Sequence, residues 1–467
     1  MSSTDSDSSP VAPKTGTKRK AAAPKAPRAV SASEIARNTQ HFETWSNGQG
    51  LAQVSFGDLP NVLKTHVDSI LCVEGKIPLS WTNKRSAAYA RLSLVAEPEF
   101  LDFVKAAYRA SPMLFRRDTE DDLRLLPALY RELSVVFTAW ERLQRMRAYK
   151  DQKYSESDYA SNVYDILRSP AIKQASYRTS RALVLPQPIR SRLSQASARV
   201  LKTRMIMPDC AVFAPPSLHS RTQAAYQKLS ASKTVKNMAG TSTRRSSFRY
   251  QATPADAPPQ TPGFEFASSV WEDKKPAHQG KTDAYWQNRM SAASVLRHHH
   301  SLRVQAPVIG LVFADATVRA HVDWWVQDEE TRETRILSAP YPGVRKVDDE
   351  GRMTPNDNEL YDRFQEWELH SAADILQVYF LIRNIDDWTV GPFQTLVQDG
   401  VEALALSLQD KTTFRYTPWR RVDNTWFTSL FSKENLSHSS ASSRRRSSGL
   451  HIPIPLMPKK KSTRSKK

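Results

Sequence analysis

The stretch Val270-Trp271-Glu272-Asp273-Lys274-Lys275-Pro276 decides how this chain is read: a short apolar strand that ends in an acid, a spacer and a lysine. Successive strand side chains point to opposite faces, so Glu272 and Lys274 project together while Asp273 goes with Trp271. A carboxylate and an ammonium are thereby held side by side at a strand end. Upstream, Met205, Ile206 and Met207 lead into Pro208-Asp209 and then a second strand-like run, Cys210 to Phe213. Asp209, Glu272 and Lys274 together spell an Asp...Glu-x-Lys set, a cage suited to a divalent cation.

Outward from this stretch, the pattern alternates between helix and strand periods. Asp283 to His300 reads as a helix, Val308 to Phe313 as a buried strand and Arg319 to Trp325 as its neighbour. Asn358 to Asn384 reads as an amphipathic helix with Leu360, Phe364, Trp367 and Leu369, and onward to Ile382, on its inward side. Before the site, Ser155 and Asp158 stand in the capping relation that starts helices. Tyr159, Val163, Ile166 and Leu167 then form one apolar face, and Pro170 limits the helix. The whole describes an α/β sandwich.

Residues 33–150 are mostly helical in pattern, with Leu126, Leu129, Leu133 and Val136 at three- and four-residue spacing, and read as a helical lobe ahead of a domain over 151–431. That domain is interrupted at 215–263 by a segment rich in Ser, Thr, Ala, Gln and Pro. It holds seven Lys/Arg against one acid, Asp256, and offers little to bury, which predicts a flexible insertion between Asp209 and Glu272.

The 467 residues carry a formal charge of +19, but its location matters more than its size. Met1 to Val30 holds six Lys/Arg against two Asp, and Ser432 to Lys467 ten against one Glu, so about two thirds of the excess lies in the ends. Residues 1–32 and 432–467 read as disordered basic tails. Lys18-Arg19-Lys20, Arg444-Arg445-Arg446 and Lys459-Lys460-Lys461 resemble import signals, giving a nuclear expectation with import machinery as a partner. Two cysteines, Cys72 and Cys210, make no disulfide framework and fit a reducing compartment. No apolar run reaches the roughly 18 residues that span a bilayer, so no membrane partner is expected. The pattern is silent on oligomeric state.

Phosphodiester hydrolysis needs a cation that neutralises the scissile phosphate and lowers the pKa of a bound water, plus a group that orients that water. Mg²⁺, for which Mn²⁺ can substitute, keeps several waters and takes one or two carboxylates. Asp209 and Glu272 supply those, and the backbone carbonyl of Asp273 completes the protein share. Lys274 would position the attacking water and stabilise developing charge, its own pKa lowered by the cation.

Pro208-Asp209 and Glu272-Asp273-Lys274 resemble the motif of the PD-(D/E)XK nuclease-like superfamily, and the order of elements is similar to its fungal members. In that group a helix bearing an acid precedes the motif, and a helix then a strand follow it. The likeness spans Tyr154 to Leu430 in outline. It implies a restriction-endonuclease-like core, a central mixed sheet flanked by helices, and metal-dependent cleavage of nucleic acid, DNA first, although inactive members exist. It also implies Glu156 as the helix acid, with Asp158 second. The long spacing between Asp209 and Glu272 departs from the usual hairpin. A neighbouring register, Asp273-x-Lys275, also satisfies acid-x-lysine; the Glu272 register has Pro276 two residues after its lysine, as in many relatives.

Other candidates have plainer readings. Gln287 is either a substrate contact or an exposed helix residue. His298-His299-His300 do not share a helix face and read as a solvated helix end rather than a metal site. Trp324, Trp325 and Trp388 sit among apolar neighbours and read as core or rim packing before base stacking. A glycine-rich phosphate loop, a nucleophile triad and metal-spaced Cys/His clusters are all missing from the sequence, so neither a nucleotide cofactor nor zinc is expected.

Overall fold

A computed structural model describes residues 30–119, 121–149, 151–186, 195–215, 220–232, 265–274, 280–328, 333–342 and 364–410, with a few single residues besides. Residues 1–29 and 432–467 lie outside the described residues, with the disorder and import expectations attached to them, but the tail expected to reach residue 32 stops short of it: Val30 and Ala32 are buried and Ser31 caps a helix over Ala32–Ala36.

The first labelled strand, β1 (Leu51–Gln53), is followed by the helices α1 (Asn61–Leu71), α2 (Pro98–Ala110) and α3 (Asp122–Ala148), with a short helix at Ala87–Leu92 between the first two. Next come α4 (Glu156–Tyr159) and α5 (Asp165–Ala171), joined by a wider π turn at Ala160–Tyr164, and then β2 (Ser176–Thr179) and β3 (Cys210–Phe213). After helix α6 (Ser220–Ala231), strand β4 (Ala267–Lys274) carries the quoted stretch, and helix α7 (Gly280–Ser301) leads to β5 (Val308–Ala314). The chain continues through β6 (Thr317–Gln327), β7 (Thr334–Pro340) and β8 (Glu366–Glu368) to helices α8 (Ala372–Val390) and α9 (Pro392–Ser407).

Among the described residues these eight strands form one mixed sheet, in the order β1-β7-β6-β5-β4-β3-β2, with β8 added beside β6. Strands β2, β3 and β4 run as an antiparallel series, β5 lies parallel to β4, and β6 and β7 turn antiparallel again. A parallel neighbour cannot be reached by a tight hairpin, and α7 provides the crossover from β4 to β5. The continuous apolar run of β5, Val308 to Ala314, is buried throughout because helices cover both faces.

Helix α7 lies on the face that carries Val270, whose register partner Gly310 stands in turn opposite His321, and Tyr285 of α7 meets the His321 ring at 4.9 Å. This helix is polar yet buried, with Asn288, Ser291 and Ser294 turned inward. Asn288 Nδ2 donates to the carbonyls of Val270 and Leu311 at 3.0 and 2.9 Å, tying helix to sheet across the β4–β5 seam. Over the other face α8 packs against α1, α2, α3 and α5, and buried residues of 33–150 share one apolar core with the sheet. The Asp386 carboxylate of α8 accepts from the main-chain N–H groups of Lys173, Gln174 and Ala175, fixing the entry to β2.

Several expectations need correction. The helix read over 358–384 starts only at Ala372, where Ser371 caps it by accepting from the Asp374 N–H; Trp367 belongs to β8, opposite Val318, and Leu360 lies outside the described residues. The apolar spacing before Ser371 also fits an edge strand, which is why the two merged. The 215–263 insertion is not structureless in its first part: α6 buries Ala225, Tyr226 and Leu229 and packs against α9. Its remainder from 233 lies outside the described residues. His298 and His299 are fully buried rather than solvated, stacked on Phe266, with burial pushing the His299 imidazole down to about 3. The tryptophans match their packing reading, Trp324 and Trp388 being buried.

Candidate active site

The two halves of the motif meet on adjacent strands. Cys210 pairs with Trp271 and Ala211 with Val270 in an antiparallel ladder, so one step further along that register Asp209 stands across from Glu272. Toward the insertion the ladder shifts register by one residue between Val212 and Phe213, and pairing continues beyond the shift, with the Ala214 N–H donating to Phe266 O at 2.8 Å. The insertion's length therefore does not separate Asp209 from Glu272. The Asp209 carboxylate accepts from the Asp273 main-chain N–H at 2.7 Å, which pins the end of β4 to the start of β3.

Alternation along β4 then sorts the side chains. Glu272 and Lys274 share a face, as the period of two requires, and Lys274 Nζ donates to Glu272 Oε1 at 2.5 Å. Glu272 is fully buried, and its second oxygen, Oε2, is buried with no hydrogen-bond partner. Burial pushes the Glu272 carboxyl well above the ordinary carboxylate range; Asp209 adds to the rise and Lys274 opposes it. Burial also raises Asp209, against the N–H bond from Asp273. For Lys274 burial works against the ammonium, but Glu272, Asp209 and Glu156 together outweigh it and hold its pKa above the ordinary lysine value. The direction follows from the carboxylates that surround the lysine side chain.

Asp273 points to the other face, where Arg168 of α5 takes its carboxylate with both guanidinium nitrogens, at 2.5 and 3.0 Å. Arg168 is fully buried, its guanidinium 3.9 Å from the Phe313 ring centroid and its Nη1 3.3 Å from Cys210 Sγ. Burial works against the Arg168 charge, and Asp273 more than restores it. With its carboxylate so engaged, Asp273 leaves only its main chain to the Glu272 side. Lys275 and Pro276, which belong to the alternative register, lie outside the described residues.

Glu156 comes from the helix before the sheet. Ser155 and Asp158 close a reciprocal cap, the Ser155 N–H donating to Asp158 Oδ2 at 2.6 Å and the Asp158 N–H to Ser155 Oγ at 3.3 Å. Capping occupies Asp158 and leaves Glu156 half-buried, close enough to act electrostatically on both Asp209 and Lys274. In an unbroken α-helix, residues 156 and 168 would sit about 120° apart around the axis. The wider turn at Ala160–Tyr164 winds less per residue and narrows that angle, so one helical segment serves both Glu156 and Arg168. Asp283, in the first turn of α7, also feels the Lys274 charge, and Gln287 is buried one turn on.

The sequence reading missed Arg168 and Asp283. Arg168 follows Tyr164 by four residues and so falls within the buried stripe of its own helix, a signal that was present. Among the described residues no group of three or more His, Cys, Asp or Glu side chains is arranged to hold a metal ion. The sequence-derived set contains only two carboxylates and a main-chain carbonyl, which suits a hard cation that keeps most of its waters. The partnerless Glu272 Oε2, beside Asp209, is consistent with that donor set. Neither a family model nor a curated protein matches the chain.

Proposed function

We propose that this chain is a metal-dependent nuclease of the PD-(D/E)XK type, hydrolysing phosphodiester bonds in nucleic acid, DNA first. The observation that carries the reading is the meeting of Asp209, Glu272 and Lys274 at the ends of two paired strands, with Glu156 acting on the same charges. The order of elements supports it: an acid-bearing helix, three antiparallel strands, a crossover helix and a strand parallel to the third, which suits a restriction-endonuclease-like core.

Asp209, Glu272 and the Asp273 carbonyl would hold Mg²⁺ or Mn²⁺. When bound, such an ion supplies charge neutralisation at the phosphate and a more acidic water. Lys274 would orient the attacking water and stabilise negative charge that develops on the phosphate oxygens. Glu156, at the rim, would accept a proton from the attacking water or hold it in line. Arg168 fixes the β4 terminus from behind through Asp273. The basic ends would hold nucleic acid through phosphate contacts and direct the protein to the nucleus.

One observation favours a second reading, an inactive module of the same fold that binds nucleic acid or protein: Glu272 Oε1 is taken by Lys274 and Asp209 Oδ2 by the Asp273 N–H. Two measurements separate them. The active reading expects the purified full chain to cut single- or double-stranded DNA or RNA with Mg²⁺ or Mn²⁺ at low salt, and Glu272→Ala and Lys274→Ala to abolish the cut. No cleavage by the parent, or equal cleavage by the variants, overturns it. A melting temperature that rises with Mg²⁺ in the parent and not in Glu272→Ala marks a live ion site.

A further inference from the structure

Beside α4, the last turns of α3 and the segment after it enclose an open cleft of about 510 Å³, lined by Arg142, Arg145, Met146, Tyr149, Tyr154 and Asn162. Arg142 and Arg145 are exposed and neither pairs with an acid among the described residues. Basic residues in the last turn of α3 suit the helix dipole, which accounts for Arg145 but not for the aromatic side chains across from it. Tyr149 is 61% exposed, an unusual state for an aromatic ring that only fills a fold.

The cleft wall is continuous with the helix that presents Glu156. Tyr154 precedes Glu156 by two residues, and its ring meets Tyr159 edge-on at 6.5 Å; Tyr159 then stacks on Tyr164 at 6.1 Å, whose ring reaches Phe313. Asn162 Nδ2 donates to the Asp158 carbonyl at 2.9 Å, fixing the cleft wall to the helix that presents Glu156.

We infer that this cleft, adjoining the helix that presents Glu156, binds an unpaired nucleic-acid strand, with Arg142 and Arg145 on phosphates and Tyr149 and Tyr154 stacked on bases. The inference extends the nuclease reading, from which it takes its polyanionic partner. Stacking requires bases free of their complement, so the aromatic share of the binding belongs to single strands and not to duplex. Arginines without carboxylate partners are left with all their donors for phosphate oxygens.

The test is fluorescence anisotropy on the full chain in EDTA, with a labelled oligothymidylate of about 20 nucleotides and a duplex of equal length. Tyr149→Ala/Tyr154→Ala is expected to weaken strand binding about tenfold or more and to leave duplex binding, which the basic ends supply, unchanged. Arg142→Ala/Arg145→Ala is expected to flatten the slope of log K against log salt for the strand by about 0.7 per lost phosphate contact. Strand affinity unchanged in the tyrosine variant, or an equal fall for strand and duplex, overturns the inference. So does displacement of the strand by polyglutamate at matched charge, which would assign the cleft to an acidic peptide. A parent that binds the strand through these residues and never cuts it with Mg²⁺ or Mn²⁺ sinks the nuclease reading alone; one that cuts while the cleft variants bind normally sinks the cleft alone.

Discussion

Arg168→Ala is the most informative single change, because it unpairs a buried charge without touching the residues proposed for chemistry. The Arg168 side chain is 0% exposed and its partner's, Asp273, 7%. Removing the guanidinium leaves a carboxylate with no counter-charge in a pocket lined by Trp271 and Phe313, a situation that costs about 3–5 kcal/mol. The lost cation–π contact with Phe313 adds about 1 kcal/mol, so the whole effect is about 4–6 kcal/mol. Unfolding entropy near 2.1 cal/mol/K per residue gives a cooperative unit of roughly 350 residues about 0.7 kcal/mol/K, and the melting temperature should drop by about 5–8 °C. Calorimetry or circular-dichroism melts measure this directly. Arg168→Met/Asp273→Leu, which removes both charges and keeps much of the volume, should recover more than half of the loss. A single variant within about 2 °C of the parent, or a double variant no better than the single, would refute the view that the pair locks the end of β4.

Three further outcomes are expected. Because burial raises the Glu272 carboxyl in the folded protein, the native state holds a proton that the unfolded chain releases above its ordinary pKa, so stability falls as pH rises through that interval; Glu272→Gln should therefore melt higher than the parent by a margin that grows from pH 5 to pH 8, and a margin that shrinks with pH contradicts the burial argument. Gly310→Ala should destabilise by about 1–3 kcal/mol, since the added Cβ would lie 2.0 Å from His321 Nε2, and Gly310→Ala/His321→Ala should regain part of the loss against His321→Ala alone; urea titration reads both, and an innocuous Gly310→Ala would mean the ring moves freely. Iodoacetamide at neutral pH should label Cys72, which is exposed, and spare Cys210, which is buried with its thiol pushed up to about 11; mass spectrometry finding both labelled in the native protein would refute the burial of the β3 start.

How much of this was legible in the sequence depends on how local each signal was. Strand β5 and helix α7 were readable because a seven-residue apolar run and a continuous helical stretch need no distant partner to be recognised. The pairing of β3 with β4 was legible only as a motif, and the one-residue register shift between Val212 and Phe213 had no local signal in the sequence. Buried His298 and His299 were misread because contiguous histidines look hydrophilic, whereas Phe266 and Phe393 supply aromatic partners from far along the chain. Trp367 was misread for the opposite reason, its apolar spacing being compatible with both periods until Ser371 declared the helix start. Arg168 was invisible as a partner of Asp273 since their separation is 105 residues, although its place in an apolar stripe marked it as buried.

The end of β4 carries charge on both faces, and this is the feature that separates a site from a scaffold. A strand selected only to fold would place apolar side chains at Glu272 and Asp273, because a buried ion pair gains little over well-packed hydrophobic residues. Here two such pairs sit back to back, Glu272 with Lys274 on one face and Asp273 with Arg168 on the other. A one-residue slip of β4 would turn Glu272 to the face of the guanidinium, take Lys274 with it and leave Asp273 on the opposite face. What rejects the slip is the Asp209 carboxylate, which accepts from the Asp273 N–H and is available to only one register, and Asn288, whose Nδ2 donates to the Val270 and Leu311 carbonyls at once. The same Asp209 therefore fixes the register and supplies the second carboxylate of the proposed ion site. Asp209→Asn keeps an acceptor oxygen for the Asp273 N–H while removing the charge, so it should melt close to the parent and yet fail to cut, whereas Asp209→Ala should lose both; a destabilised Asp209→Asn would mean that its charge, and not its bond, holds the strands together.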